Sequence, residues 1–512
     1  MQPTWYRNAV IYQVDVAQFH DSDGDGWGDL RGTADRLEYV RGLGADCVWL
    51  LPFYPTPYRD GGYDVCDHLS VDPRFGDVAD FAYLMDRADA LGVRVIIDLV
   101  AQHTSIDHPW FQEARSSRDS PYRDYYVWSD EPVETGVQQN FPTVEDGVWT
   151  WDEEAGQYYR HTFYSHEPDL DLGNPRVLAE LERVMGFWLR MGVSGFRVDA
   201  LPSMVERARA SDAGDDGLWL VEHMHDFLAV RRADAILLGE VDVPPKEYAD
   251  YLRDGHGMTM LLDFWTNNHI FLALGRGEAE PVVRALQERP TAPQRGQYAT
   301  YLRNHDELDL ERLAADERDE VVTTFAPDPA MQAYGRGIRR RLAPMLGDDD
   351  RRIAMAHALL LSLPGAPVLL YGDEIGMGDD LSREERRSVR TPMAWAEAHR
   401  QITSTQSLLA RVGNLVRTRL GRREIGFGDC EAVDVGVPAV LCLRHRLDEV
   451  LLWCVVNLSG EVVSFEIPDV GTGELVDVLA NDDSAPPGET GGLVELAGYG
   501  YRWLQHPAHL FG

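Results

Sequence analysis

The chain has 512 residues, 44% hydrophobic and 10% aromatic, which is enough for a large core and too long for one ordinary domain. Its formal charge of −37 excludes nucleic acid and an anionic membrane surface as natural partners and leaves neutral ligands such as sugars open. The five cysteines, Cys47, Cys66, Cys430, Cys442 and Cys454, form an odd set with no C-x-x-C spacing, the pattern of a reduced compartment. No basic-then-apolar leader opens the sequence, and no run approaches the roughly 20 apolar residues of a membrane helix. The expectation is a cytoplasmic protein with no membrane contact, its homo-oligomeric state left open. Lys246 is the only lysine, so basic charge is carried by arginine.

In chain order, Ala9 to Val14 predicts a first strand, followed by an acidic, glycine-rich loop from Asp21 to Gly32. A helical pattern from Ala34 to Leu43 leads to strand Cys47–Leu51, and another from Val78 to Leu91 leads to strand Val93–Asp98. Near-continuous apolar strands alternating with helix-length segments indicate parallel βα units buried on both faces. The alternation stops over residues 105–174, a stretch rich in aromatics, proline and charge with no clear helix period. A segment of that length inside a compact fold is a functional insertion or subdomain. Helix Pro175–Met191 resumes the pattern, and strands follow at Gly195–Ala200, Ile236–Glu240, Met258–Phe264, Ala299–Asp306 and Ala366–Leu370. A last helical stretch ends near Arg423, and short alternating runs such as Ala439–Leu443 and Leu451–Val456 predict a small antiparallel β domain.

Three of these strands end on acids: Arg197-Val198-Asp199, Gly239-Glu240 and His305-Asp306. Arg197 and Asp199 are two apart, so their side chains share one face of the strand. An isolated pair of this kind is most often a structural ion pair. Three separate strands delivering acids at their C-terminal ends is how a (β/α)8 barrel builds an active site. The loop Asp21-Ser22-Asp23-Gly24-Asp25-Gly26-Trp27-Gly28-Asp29 sets oxygen ligands at alternating positions, the spacing a hard cation takes. A solvated acidic turn is the alternative. The loop is like the first half of an EF-hand, but Gly32 stands where the bidentate Glu would be.

Together these segments resemble the α-amylase superfamily, glycoside hydrolase family 13, on the side of its trehalose synthase and α-glucosidase branch. The opening Trp5–Gln13, Asp60-Gly61-Gly62-Tyr63-Asp64, Gly337–Leu346 and Val389–Met393 carry the same resemblance. It implies a (β/α)8 barrel in two parts, residues 1–104 and 175–423. It also implies an inserted B domain at 105–174 and a C-terminal β-sandwich domain at 424–512. It implies that Asp199 is the nucleophile, Glu240 the acid/base and Asp306 the transition-state stabiliser of a retaining double displacement. A nucleophile must stay ionised, which Arg197 favours, and a general acid must stay protonated, which burial and neighbouring carboxylates favour.

The same resemblance assigns Tyr63, Asp64, His103, His305 and Arg390 to the sugar subsite, with Asp64 closing the pocket for exo action on a terminal glucose. It assigns the acidic loop to a structural Ca2+, or Mg2+ in its place, held by Asp21, Asp23, Asp25, Asp29 and the Trp27 carbonyl. Departures are informative. Gln102 stands where the family carries an Asn that binds a second calcium with Asp169, which puts that site in doubt. Glu167 stands where Gln is usual, and Asp171 where Asn is. Ala200 is small where α-1,6-specific relatives carry Val, which points to α-1,4 or α,α-1,1 linkages. The implied activity is trehalose synthase, interconverting maltose and trehalose, with hydrolytic α-glucosidase action on maltose and short α-glucosides as the alternative. A non-catalytic sugar-binding relative is the reading from another class, and such proteins usually lose one of the three carboxylates, all of which are kept here.

Overall fold

A computed structural model describes residues 4–133, 140–209, 216–468, 470, 475–481 and 492–505. Eight parallel strands close into a barrel: β1 (Ile11–Val14), β2 (Cys47–Leu50), β3 (Arg94–Leu99), β4 (Gly195–Val198), β5 (Ile236–Gly239), β6 (Met260–Leu262), β7 (Gln297–Tyr301) and β8 (Ala366–Leu370). Each pairs with its neighbour in sequence, and β1 closes on β8 with Ile11 opposite Val368. Inward residues Ile11, Trp49, Ile96, Leu238, Met260, Tyr301 and Val368 fill the barrel interior, so it is a packed core with its chemistry at one end. Gly195 opens β4 at φ 149°, and a Cβ there would lie 2.2 Å from the Ile236 carbonyl of β5. Any side chain at 195 would push apart the two strands that lead to Asp199 and Glu240.

Within the stretch 105–174, expected to be an insertion, the described residues carry more regular structure than its sequence pattern suggests. Helix Pro109–Ser116 starts on His108, whose Nδ1 accepts from the Trp110 amide, and Pro109 occupies its first turn. A helix of two turns is too short to show a period in an aromatic-rich sequence. Three antiparallel strands follow, with Gln157–Arg160 between Trp128–Ser129 and Trp149–Asp152. A second small sheet went unpredicted: Gly337–Ile338 pairs with both Leu308–Asp309 and Gln332–Ala333 in the long connection after β7. Helix Leu30–Leu43 begins inside the segment expected to be loop, because the Asp29 side chain caps it by accepting from the Gly32 amide.

Beyond helix Leu408–Leu420, a five-stranded antiparallel sheet and the antiparallel pair Val463–Glu466 and Leu493–Leu496 face each other. Trp453, Val455 and Leu504 of the one meet Phe465, Val494 and Leu496 of the other, as a small sandwich does. The opposite face of the five-stranded sheet docks on the barrel, where Trp503 Nε1 donates to Ser362 Oγ at 2.8 Å. Among the described residues, no helix is long and apolar enough to cross a membrane.

Candidate active site

The C-terminal ends of β4, β5 and β7 surround a cavity of about 220 Å³, whose wall includes Asp60, Tyr63, His103, Asp199, Ala200, Glu240 and Asp306. Arg197 organises the reacting groups. Its buried guanidinium contacts Asp98 Oδ1 at 2.6 Å and Glu240 Oε1 at 2.7 Å, and it also hydrogen-bonds Asp199. One cation thus holds both expected catalytic carboxylates. Glu240 is fixed from a second direction, because its Oε2 accepts from the Ala200 amide at 2.8 Å. Ala200 achieves this in a left-handed conformation, φ 46°, a strained state for a residue with a Cβ. The strain sits directly after Asp199 and aims the amide at the partner carboxylate.

Burial pushes the Glu240 carboxyl up to about 8; Arg197 opposes this, and Asp199 and Asp306 reinforce it. Glu240 therefore holds a proton at neutral pH, as a general acid must. With Glu240 as the expected general acid, the protonated form is the active one, so kcat/KM for an α-glucoside is expected to fall as pH rises through about 8. A pH profile checks this, and Glu240→Gln should abolish that basic limb.

Asp306 receives Arg386 Nη1 and Arg390 Nη2 on Oδ1, each at 2.8 Å, while Oδ2 lies 3.1 Å from His305 Nε2. Burial opposes its ionisation, yet His305, Arg386 and Arg390 hold the carboxyl well below the usual range. Gln13 Nε2 donates to His305 Nδ1 at 2.8 Å, which leaves the ring proton on Nε2 between Asp306 and the Tyr63 hydroxyl. His305 stacks behind Tyr63, ring centroids 5.5 Å apart, so it supports the wall that Tyr63 presents. Burial keeps His103 neutral. Its Nε2 donates to the Tyr63 carbonyl at 3.2 Å, and Nδ1 is left as a buried acceptor without a protein partner. A sugar hydroxyl suits that atom.

Asp64 does not reach the cavity. Its carboxylate accepts from Thr56 Oγ1 at 2.7 Å and from the amides of Arg59 and Asp60, and it is fully buried. The residue that faces inward from the same loop is Asp60, and Arg386, which the motifs did not single out, lies 3.4 Å from it. Together they close one end of the cavity, a closure expected from Asp64. An aromatic cap completes the seal. Phe141 and Tyr164 of the insertion pack on Tyr334, and the Tyr164 hydroxyl meets Tyr334 at 2.9 Å and Glu385 at 2.5 Å.

Glu167 is fully buried, and burial first, then Asp60 and Asp64, raises its carboxyl well above the usual range. A protonated Glu offers a donor beside an acceptor, as the amide of the Gln usual at this position also does. The doubtful second cation site is accounted for differently. Asp169 accepts from the amide and hydroxyl of Thr162 and lies 3.4 Å from the buried guanidinium of Arg160. Gln102 turns to Thr162 instead. A protein cation thus stands beside Asp169. In the acidic loop, oxygens of Asp21, Asp23 and Asp29 lie within 4.8 Å of one another. Asp25 is outside that group and caps the Trp27 amide. Three converging carboxylates fit a hard divalent cation.

Residues 13–326 match the sequence profile described as the alpha amylase catalytic domain. The chain belongs to the α-amylase family. This family member is 38% identical to the trehalose synthase/amylase TreS of Mycobacterium tuberculosis, over 100% of this chain and 92% of that one. It is 44% identical to a trehalose synthase of Thermus thermophilus over 78% of this chain and 41% of the relative. An oligo-1,6-glucosidase of Heyndrickxia coagulans is 31% identical over 80% and 74% of the two chains. Among solved structures, an α-amylase from H. orenii superposes with a TM-score of 0.80 at 24% identity, covering 97% of this chain and 99% of that one. The likeness in fold therefore spans nearly the whole molecule, the C-terminal sheets as well as the barrel.

Proposed function

We propose that the protein is a retaining α-glucosyl transferase that interconverts maltose and trehalose. The observation that carries this is a complete catalytic trio at the end of a cavity sealed on the terminal-sugar side by Asp60 and Arg386. Asp199 attacks C1 of the terminal glucose while Glu240 protonates the departing oxygen. The freed glucose turns within the cavity and returns its anomeric hydroxyl to C1, and Glu240 takes that proton back. The aromatic cap keeps water from the sealed end. Similarity to trehalose synthases over nearly the whole chain supports the same reading. Proton NMR of a reaction on pure maltose tests it. A trehalose anomeric signal growing ahead of free glucose is the expected result, and glucose alone makes the protein an α-glucosidase.

The proposal includes a structural Ca2+, with Mg2+ as the alternative, on Asp21, Asp23 and Asp29. Such an ion ties the loop to the N-terminus of helix Leu30–Leu43, through the carboxylate that caps it. A site filled at about 100 times its Kd stabilises by about 2.7 kcal/mol, so for a chain of this length chelation is expected to lower Tm by about 2–3 °C. The initial rate at room temperature should change much less. Asp23→Ala should remove most of the chelator's effect, and an unshifted Tm in both tests assigns the loop to an ordinary acidic turn. The protein is also proposed to be cytoplasmic, with five cysteines free in the structure.

A further inference from the structure

The open end of the catalytic cavity carries more negative charge than a neutral sugar requires. Asp242, Glu307, Asp309 and Glu311 all line it. Two guanidiniums face these four carboxylates. Arg312 lies 3.0 Å from Asp242 and 3.9 Å from Glu311; Arg336 lies 3.0 Å from Glu307, 3.2 Å from Asp309 and 3.9 Å from Glu311. The cluster is therefore short of positive charge. Burial, reinforced by Asp242, pushes the Asp309 carboxyl up to about 8, so a proton makes good part of the deficit. One oxygen has no protein partner at all: Glu307 is 7% exposed, and its Oε2 accepts no hydrogen bond.

The cluster shares its framework with the reacting groups. Asp242 stands two residues after Glu240, Glu307 follows Asp306, and Asp309 and Arg336 are positioned by the ladder that pairs Asp309 with Gly337. We propose that this open end takes an acceptor sugar bearing an ammonium group, which the Asp242–Glu307–Asp309–Glu311 cluster binds while a sugar hydroxyl faces the glucosyl carbon. This rests on the glucosyl-transfer reading above. A hydroxyl of the amino sugar forms the new bond to C1, the C1–O bond to Asp199 breaks with its electron pair returning to the carboxylate, and the hydroxyl proton goes to Glu240. An ammonium supplies one charge and three donors, which suits interleaved carboxylates and the unpartnered Glu307 oxygen. A dication would instead have to sit against two guanidiniums.

The test supplies maltose as donor with equal concentrations of glucosamine and isotope-labelled glucose, and counts transfer products by mass spectrometry. Wild-type protein is expected to favour the amino sugar by at least about tenfold, close to the 1.4 kcal/mol that one added charged contact contributes. Asp309→Asn and Glu307→Gln, each compared by the ratio within its own reaction, should bring that preference towards one. Equal use of the two acceptors by wild-type protein overturns the proposal and leaves glucosyl transfer standing. A preference that vanishes with chelator and returns with Ca2+ also overturns it, since the cluster is then a metal site. Release of glucose with neither acceptor used overturns both readings together.

Discussion

Asp199→Ala is expected to lower maltose turnover by about 10⁴-fold or more while the protein stays folded, and Glu240→Gln by about 10²–10⁴-fold. The two losses differ because the roles differ. Without Asp199 no glucosyl ester forms, so the double displacement has no first step. Without the Glu240 proton, the ester forms only as fast as an unassisted alkoxide can leave, so substrates with good leaving groups should recover much of the rate. Neither change should unfold the protein. Each carboxylate is held chiefly by Arg197, which keeps Asp98 as a partner when either is lost. Melting curves alongside maltose and aryl α-glucoside assays check this. Maltose activity within tenfold of wild type in either variant would remove that residue from the mechanism.

Arg386→Ala should be among the most damaging changes outside the carboxylates. Its guanidinium bridges Asp306 and Asp60, and burial already drives the Asp60 carboxyl up to about 7. Removing one member of a buried, hydrogen-bonded charge pair costs about 2–5 kcal/mol, or roughly 30- to 5,000-fold in kcat/KM. Arg386→Lys keeps the charge but cannot span both carboxylates, so it should recover only part of the loss. The Phe141 ring lies 5.2 Å from the same guanidinium, so alanine also loosens the cap. The variant should therefore partition more glucosyl units to water than wild type does. Unchanged kcat/KM and an unchanged product ratio would show that the seal is not functional.

The barrel and its acids were legible because strand ends have simple rules. A strand alternates, so Arg197 and Asp199 had to share a face, and acids at three strand ends had to gather at one mouth. Loops follow no such rule. Between Asp60 and Asp64 the chain turns through Gly61 and Gly62 at φ 58° and 107°, which reverses which acid points inward. The amides of Arg59 and Asp60, just before that turn, then capture Asp64. Arg386 escaped notice because its partner Asp306 is 80 residues away, and only the short turn Glu385–Val389 sets it beside Arg390. The i, i+4 spacing of the two arginines was the available signal. Arg160 was hidden likewise: its strand lies in the insertion, and only tertiary pairing places its charge against Asp169. Glu167 looked like a lost amide until its burial made it an amide's equivalent.

Behind Phe141 and Arg386, which close the cavity at one end, the Tyr164–Tyr334–Glu385 contact braces that end with segments from three distant parts of the chain. A closed end makes the site a blind corridor, and traffic in a blind corridor is ordered. The glucose to be transferred must go in before its acceptor, and the acceptor must come out before the glucose can. Water has to come by the same route, so whatever occupies the entrance also shields the ester behind it. Free glucose or an analogue loitering at the entrance should therefore slow hydrolysis of the intermediate even when it is not itself glucosylated.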